Sequence, residues 1–220
     1  MSFPSKLLLT GVLVIGLLLV IEGRRMREME RMISYMEEKY GEAFSPVQPF
    51  GGQLGKNLDA LELKSEKFKG GGILVRRIYL KEQEVMQDNY LAFLLEREIT
   101  CRIAAAAEQA FGESSVVYQI PELVFPADFP AKMSAEEFLR NPWSMVKVTI
   151  MPAAAEDRPA EKADIFFSIL KEKGYIIGGT VLFSSGQRLI FSMGEEGTIR
   201  YLEWREREGW GLKDSCLKRK

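Results

Sequence analysis

The fifteen-residue run Leu7–Ile21, LLLTGVLVIGLLLVI, constrains this chain more than any other stretch. It is apolar apart from Thr10, carries no charge, and is bounded by Lys6 and Glu22. A helix of that length rises about 22 Å, short of the roughly 30 Å of a bilayer core. Extending it back through Phe3–Ser5, with Lys6 reaching to the headgroups, gives a span that suits a thin bilayer. The same pattern fits a secretory signal, but cleavage needs small residues at the exit. Here the exit reads VIEGRRMRE, with Gly23 as its one small residue and no cysteine for lipid attachment. The expectation is an uncleaved transmembrane anchor over residues 1–23, with the lipid bilayer as partner of Leu7 to Ile21.

Orientation follows from the flanking cations. Lys6 stands on one side, and Arg24, Arg25, Arg27 and Arg31 on the other. The positive-inside rule counts Lys and Arg and largely ignores Glu22, Glu28 and Glu30, so it places the large domain in the cytoplasm. The competing arrangement is an exported domain held at the cell surface.

Composition excludes several functions. The chain has 220 residues, is 46% hydrophobic, and has a formal net charge of -1. That balance gives no basic footprint, so no nucleic-acid partner is expected. There is no histidine, which removes the commonest general base near neutral pH and a common metal ligand. Cys101 and Cys216 are too few for a disulfide framework or a cysteine zinc site, and free thiols are expected. No metal, no cofactor and no catalytic residue is expected.

Beyond the anchor, residues 24–43 continue as an amphipathic juxtamembrane helix. Met26, Met29, Ile33, Met36 and Tyr40 recur at spacings of three and four. This stripe either packs on the chain's own domain or serves as an oligomer seam with a second copy. Residues 44–205 then read as one α+β domain, with a subdivision admitted near 121–133. Strands are expected at Phe44–Phe50 (an edge, because of Pro46 and Pro49), Leu58–Lys64, Ile73–Leu80, Ser115–Ile120, Trp143–Met151, Tyr175–Phe183, Arg188–Met193 and Thr198–Arg205. Residues 81–87 read as a polar link into a long helix, Tyr90–Ala110, with Asp88 as its N-cap and Cys101 as a small core residue. Ser134 and Glu137 form a capping box for a short helix. A further helix runs to Lys173 and stops at Gly174, while Gly178-Gly179 suggests a bulge. The fold class is therefore α+β: a transmembrane helix continuing into an amphipathic helix, then a mostly antiparallel sheet covered by two main helices.

Apparent constellations dissolve on inspection. The glycine clusters at 51–55, 70–72 and 178–179 lack phosphate-loop spacing. Ser184-Ser185-Gly186 leads into a strand, unlike a nucleophile elbow. A basic tail, residues 206–220, carries Trp210, Lys218, Arg219 and Lys220. With Arg24, Arg25 and Arg27, these residues suit contacts to an anionic membrane surface.

The stretch Met32–Phe44, MISYMEEKYGEAF, resembles an element near the start of uncharacterised membrane-anchored proteins of clostridial and related Gram-positive bacteria. There a helix ending Lys-Tyr-Gly-Glu-x-Phe leads into a strand, and Asp88–Leu95, DNYLAFLL, is similar to a later segment of such proteins. The resemblance implies an α+β, membrane-tethered domain and supplies no catalytic residue. The functional expectation is a membrane-anchored, non-enzymatic binding or interaction module. The alternative is a hydrolase or transferase that works without histidine.

Overall fold

A computed structural model describes residues 3–50, 59–120, 124–126, 128–154 and 157–205, with the side chains of 3–15 and 48–50 left outside the description. Two compact units emerge: Met1–Phe93 with Glu122–Lys132, and Leu94–Pro121 with Met133–Lys220. The α+β class holds, and the strands form two sheets rather than the single expected one.

The first unit begins with one long helix, α1 (Phe3–Tyr40). Among the described residues no helix is long and apolar enough to cross a membrane. Most of the side chains of Leu7–Ile21 lie outside the described residues, which carry only Gly16–Ile21 of that run. After α1 come four antiparallel strands in meander order: β1 (Phe44–Phe50), β2 (Ala60–Ser65), β3 (Ile73–Leu80) and β4 (Gln83–Asp88). Alternation along β2 and β3 sends Leu61, Leu63, Ile73 and Val75 into a core completed by Met32, Met36, Phe44 and Tyr90. Among the described residues β1 pairs only with β2, and its register shifts between Pro46 and Gln48, as expected where proline cannot donate to the ladder.

The residues read as a polar link instead form half of a hairpin. Leu80 pairs with Gln83 across a two-residue turn, Lys81-Glu82, and both turn residues have positive φ. Such turns ordinarily carry Asn-Gly, so the hairpin lacks its usual sequence mark. β4 is also an edge strand with polar residues on both faces, which explains why periodicity does not disclose it.

The second unit holds a five-stranded sheet in sequential order: β5 (Ser114–Gln119), β6 (Val146–Pro152), β7 (Ile177–Leu182), β8 (Arg188–Met193) and β9 (Ile199–Arg205). The β6–β7 pair is parallel, because helix α4 (Pro159–Lys173) provides the crossover, and the other pairs are antiparallel. Helix α2 (Tyr90–Phe111) enters this unit from Leu94 onward, and the short α3 (Ala135–Arg140) opens with the expected capping box. Phe166 packs against Phe111 and Phe191 with ring centroids 5.5 and 5.8 Å apart. Cys101 is exposed rather than buried, because α2 turns Ile99, Ile103 and Ala107 toward the core.

No register shift marks Gly178-Gly179; these glycines serve close approach instead. A Cβ on Gly179 would lie 2.1 Å from the Val148 carbonyl oxygen on the neighbouring strand. Gly112, by contrast, has φ +78 but open space around the missing Cβ. Gly179→Ala is therefore expected to destabilise the second unit by at least about 2 kcal/mol, and Gly112→Ala by about 1 kcal/mol from backbone strain alone. Denaturant unfolding of the two variants checks the order.

Candidate functional site

The densest polar constellation in the first unit surrounds Asp88, at the end of β4. Its residue is fully buried, and its carboxylate collects four donors. Tyr35 donates to Oδ2 at 2.8 Å and Lys39 Nζ to the same oxygen at 2.7 Å. Tyr40 donates to Oδ1 at 2.6 Å, and the Tyr90 backbone N–H to Oδ1 at 3.0 Å. The last contact satisfies a first-turn amide of α2, so the expected capping role is present as one part of a larger role. Lys39 also donates to the Tyr35 oxygen at 3.0 Å.

The neighbouring residue extends the junction. Asn89 Oδ1 accepts the Leu74 N–H at 2.8 Å, and its Nδ2 donates to the Gly72 carbonyl at 3.2 Å. Helix start, strand β3 and the turn before it are thereby tied at one point. Gly41 (φ +71) ends α1 in the left-handed conformation and turns the chain so that Glu42 and Phe44 reach Tyr90. The Tyr90 ring stands edge-on to Tyr40 at 4.8 Å and to Phe44 at 5.0 Å. Its hydroxyl donates to Glu42, lies 3.2 Å from Ser65 Oγ, and Lys67 pairs with the other Glu42 oxygen.

The signature Lys39-Tyr40-Gly41-Glu42-x-Phe44 thus has a physical reading. Lys39 and Tyr40 meet Asp88, Glu42 and Phe44 meet Tyr90, and Gly41 supplies the turn between them. The sequence separation of 48 to 53 residues between Asp88 and its side-chain donors hides the cluster from any local pattern. The detectable trace is the recurrence of polar residues inside otherwise apolar runs.

Electrostatics define what this cluster can do. Burial, then the Asp88 charge, pushes the Tyr35 and Tyr40 hydroxyls above the usual tyrosine range. Burial followed by the Glu42 hydrogen bond does the same for Tyr90. Burial alone would push the Glu42 carboxyl up; hydrogen bonds from Lys67 and Tyr90 outweigh it and hold the group below its ordinary value. A carboxylate with four donors has no lone pair left to take a substrate proton. Asp88 is accordingly a structural hub. A cavity of about 360 Å³ is lined by Glu42, Ala43, Glu66 and Lys67. Ser65 Oγ accepts the Phe68 N–H at 3.2 Å and neighbours the Tyr90 hydroxyl. Lys67 is tied to Glu42 rather than to Ser65, and a serine nucleophile needs an adjacent base.

The residues singled out from sequence are distributed as follows. Met36 is fully buried in the first unit's core, with Met29, Ile33 and Tyr40 packed against it, while Met26 is exposed. Arg24 pairs with Glu28 at 3.5 Å, Arg27 Nε donates to the Gly23 carbonyl at 3.2 Å, and Arg25 is half-buried. Trp210, Cys216, Lys218, Arg219 and Lys220 lie outside the described residues. In the second unit, Glu136 of α3 gathers Arg102 at 2.6 Å, Arg140 at 2.7 Å and Tyr175 at 2.9 Å, which ties α2 and the segment just after α4 to the short helix. Among the described residues, no group of three or more His, Cys, Asp or Glu side chains is arranged to hold a metal ion.

Two outcomes follow from the hub. Asp88→Ala strands Lys39 and three hydroxyl or amide donors in a dry site, an expected loss of about 3–5 kcal/mol, against about 1 kcal/mol for Tyr40→Phe; amide exchange in β3 and β4 reads both. The tyrosine shifts add a pH dependence of defined sign. Their folded-state values lie above the unfolded value of 10.0, so their contribution is fully present below that pH. It is lost as pH rises further, because the unfolded chain releases the proton first. Tyrosinate absorbance from Tyr35 and Tyr40 should therefore appear only together with unfolding of the first unit.

The chain matches no family model and no curated protein. Among solved structures it is similar to the crystal structure of a DUF5037 family protein from Ruminococcus gnavus ATCC 29149. That likeness has a TM-score of 0.41 and 15% identity, and it covers 69% of this chain and 73% of that one. It is too distant to carry an argument about fold or function.

Proposed function

We propose that this protein is a membrane-anchored, non-enzymatic interaction module, held at the bilayer by Leu7–Ile21 with its two α+β units in the cytoplasm. The observation that carries the reading is the state of α1 just before the arginines. Leu17, Leu18, Leu19 and Val20 are all exposed, and four successive helical residues span the whole circumference. A helix apolar and unpacked on every side suits lipid and not a one-sided core. The same helix then becomes amphipathic and enters the first unit's core through Met32 and Met36. Arg24, Arg25 and Arg27 fall where anionic headgroups would meet them, and they favour a cytoplasmic domain. The resemblance of Lys39–Phe44 to an element of membrane-tethered proteins agrees with this placement.

In such a module the hub fixes the domain on its anchor, and the ligand is taken by the surface it presents. A second reading, a hydrolase without histidine, draws on the convergence of Glu42, Ser65 and Lys67 beside one cavity. Loss of an ester-cleaving activity on Ser65→Ala, with the first unit still folded, is the result that would favour it.

Topology is read with an impermeant thiol reagent on intact cells. Cys101 and Cys216 should label only after lysis; labelling without lysis would place the units outside. Resistance of the full chain to alkaline extraction from membranes tests the anchor itself. Self-association is tested separately at Met26, the exposed end of the methionine stripe. Met26→Glu should leave the first unit's stability within about 0.5 kcal/mol, whereas Met36→Glu buries an unpaired charge and should unfold it. A fall in mass by light scattering for detergent-solubilised Met26→Glu would show a second copy at that end of the helix; an unchanged mass would show none.

A further inference from the structure

Strand β9 closes the second unit's sheet on one side, and among the described residues it pairs only with β8. Its outer backbone donors and acceptors can therefore meet another strand. Two other edges present less. β1 holds Pro46 and Pro49, and on β5 Val117 is the one exposed large apolar residue. β9 has neither proline nor lysine, and its Ile199, Tyr201, Leu202 and Trp204 are all exposed. A register shift between Ser192 and Met193 distorts the start of β9 and leaves Tyr201–Arg205 regular.

The two faces of that regular stretch differ. Leu202 and Trp204 lie opposite Phe191 and Leu189, which are buried in the helix-covered core, so they share the covered side. They are nonetheless 44% and 40% exposed. Trp204 stacks on Phe183 at 5.6 Å, and Phe183 meets Phe111 of α2 at 5.9 Å. The aromatic row of the core thus runs out to the edge and stops there uncovered. On the other side lie Tyr201, Glu203 and Arg205. Arg205 donates to Glu203 through Nε at 2.9 Å and Nη2 at 3.0 Å, and the Tyr201 hydroxyl donates to the same carboxylate. Among the described residues those contacts leave Arg205 with donors for a second carboxylate, since a guanidinium carries five N–H groups.

We infer that β9 is a self-association edge, at which two copies pair antiparallel about Trp204 with Glu203 of each opposite Arg205 of the other. Acid and base two residues apart on one face are complementary to their own inverted copy. Directly opposed residues must share a face, so the two-fold axis falls on a residue. Centring on Glu203 would oppose two carboxylates, and centring on Leu202 would set Arg205 against Ile199. Centring on Trp204 opposes acid to base twice. The same register sets Trp204 beside its counterpart, which covers the open end of the aromatic row. The helices of both copies then lie on one side of a continuous sheet. The inference concerns the second unit alone and holds with or without the Leu7–Ile21 anchor; it gives the interaction module one partner, a second copy of this chain.

The test uses the full chain in detergent with Met26→Glu, so that no seam along α1 contributes. Light scattering at high protein concentration should give the mass of a dimer; a monomer leaves the edge to some other strand and overturns the inference. Glu203→Arg and Arg205→Glu each oppose like charges twice and should each give monomers, whereas mixing the two variants should restore the dimer. A mixture that stays monomeric overturns the inference, as does either variant that dimerises alone like its parent. Disulfides in the Cys101→Ser, Cys216→Ser background read the register. An oxidised mixture of Glu203→Cys and Arg205→Cys chains should cross-link several-fold faster than either chain alone, because directly opposed positions lie within disulfide reach and diagonal ones do not. A rate no higher than that of Ser115→Cys, on the sheet's opposite edge, overturns the pairing. Slow labelling of positions 203 and 205 by a thiol reagent in a monomer would place the chain's own residues 206–220 on the edge and overturn it too.

Discussion

The Asp88 carboxylate is the constraint on which the first unit depends. Burying a carboxylate without partners costs several kcal/mol, and the cost is met only when nearly every lone pair is occupied. Here the occupants are Tyr35, Lys39, Tyr40 and the Tyr90 amide, drawn from the end of α1 and the start of α2. None can shift by a residue without leaving a charge or a hydroxyl unsatisfied in a dry site. The hub therefore determines where α1 ends, where α2 begins and where β4 lies between them. Asn89 extends the same logic to β3 by holding Leu74 and Gly72.

Much of the second unit is legible from local chemistry. The capping box at Ser134 and Glu137, the left-handed stop at Gly174 and the strand Arg188–Met193 each follow from a few adjacent residues. In the first unit, Pro46 and Pro49 suffice to make Phe44–Phe50 an edge. What sequence does not disclose depends on distance or on small differences of geometry. β4 escapes because Lys-Glu turns and polar edge strands carry no alternation. Gly178-Gly179 looks like a bulge, and only the position of the Val148 carbonyl shows that the glycines serve close approach. Cys101 sits on a helix whose core-facing stripe is centred elsewhere. The grouping of strands into two sheets depends on pairings that no local pattern reports.

The candidate site divides in the same way. Asp88 is visible as a cap, and Lys39 to Phe44 as a helix end leading into a strand, but their meeting is a tertiary fact. Two clusters share the arrangement of one acidic residue gathering several donors, Asp88 in the first unit and Glu136 in the second. They differ in burial. Asp88 is sealed, whereas Glu136 is half-buried among exposed arginines, where ion pairs contribute little. The first kind of cluster specifies a junction; the second trims a surface.

Methionine explains why the junction needs such specification. The stripe that α1 presents to the sheet is built on Met29, Met32, Ile33 and Met36, and methionine's flexible side chain packs acceptably in more than one register. Apolar burial holds the helix against the sheet but does not say how far along it the sheet must sit. Directional contacts supply that information at two levels, the Asp88 donors near the helix end and the Glu28–Arg77 pair twelve residues below Tyr40. With both in place, the distance from Ile21 to the sheet is set by counted helical residues rather than by packing. Helix and sheet are thereby locked in one register although the side chains between them would pack in several.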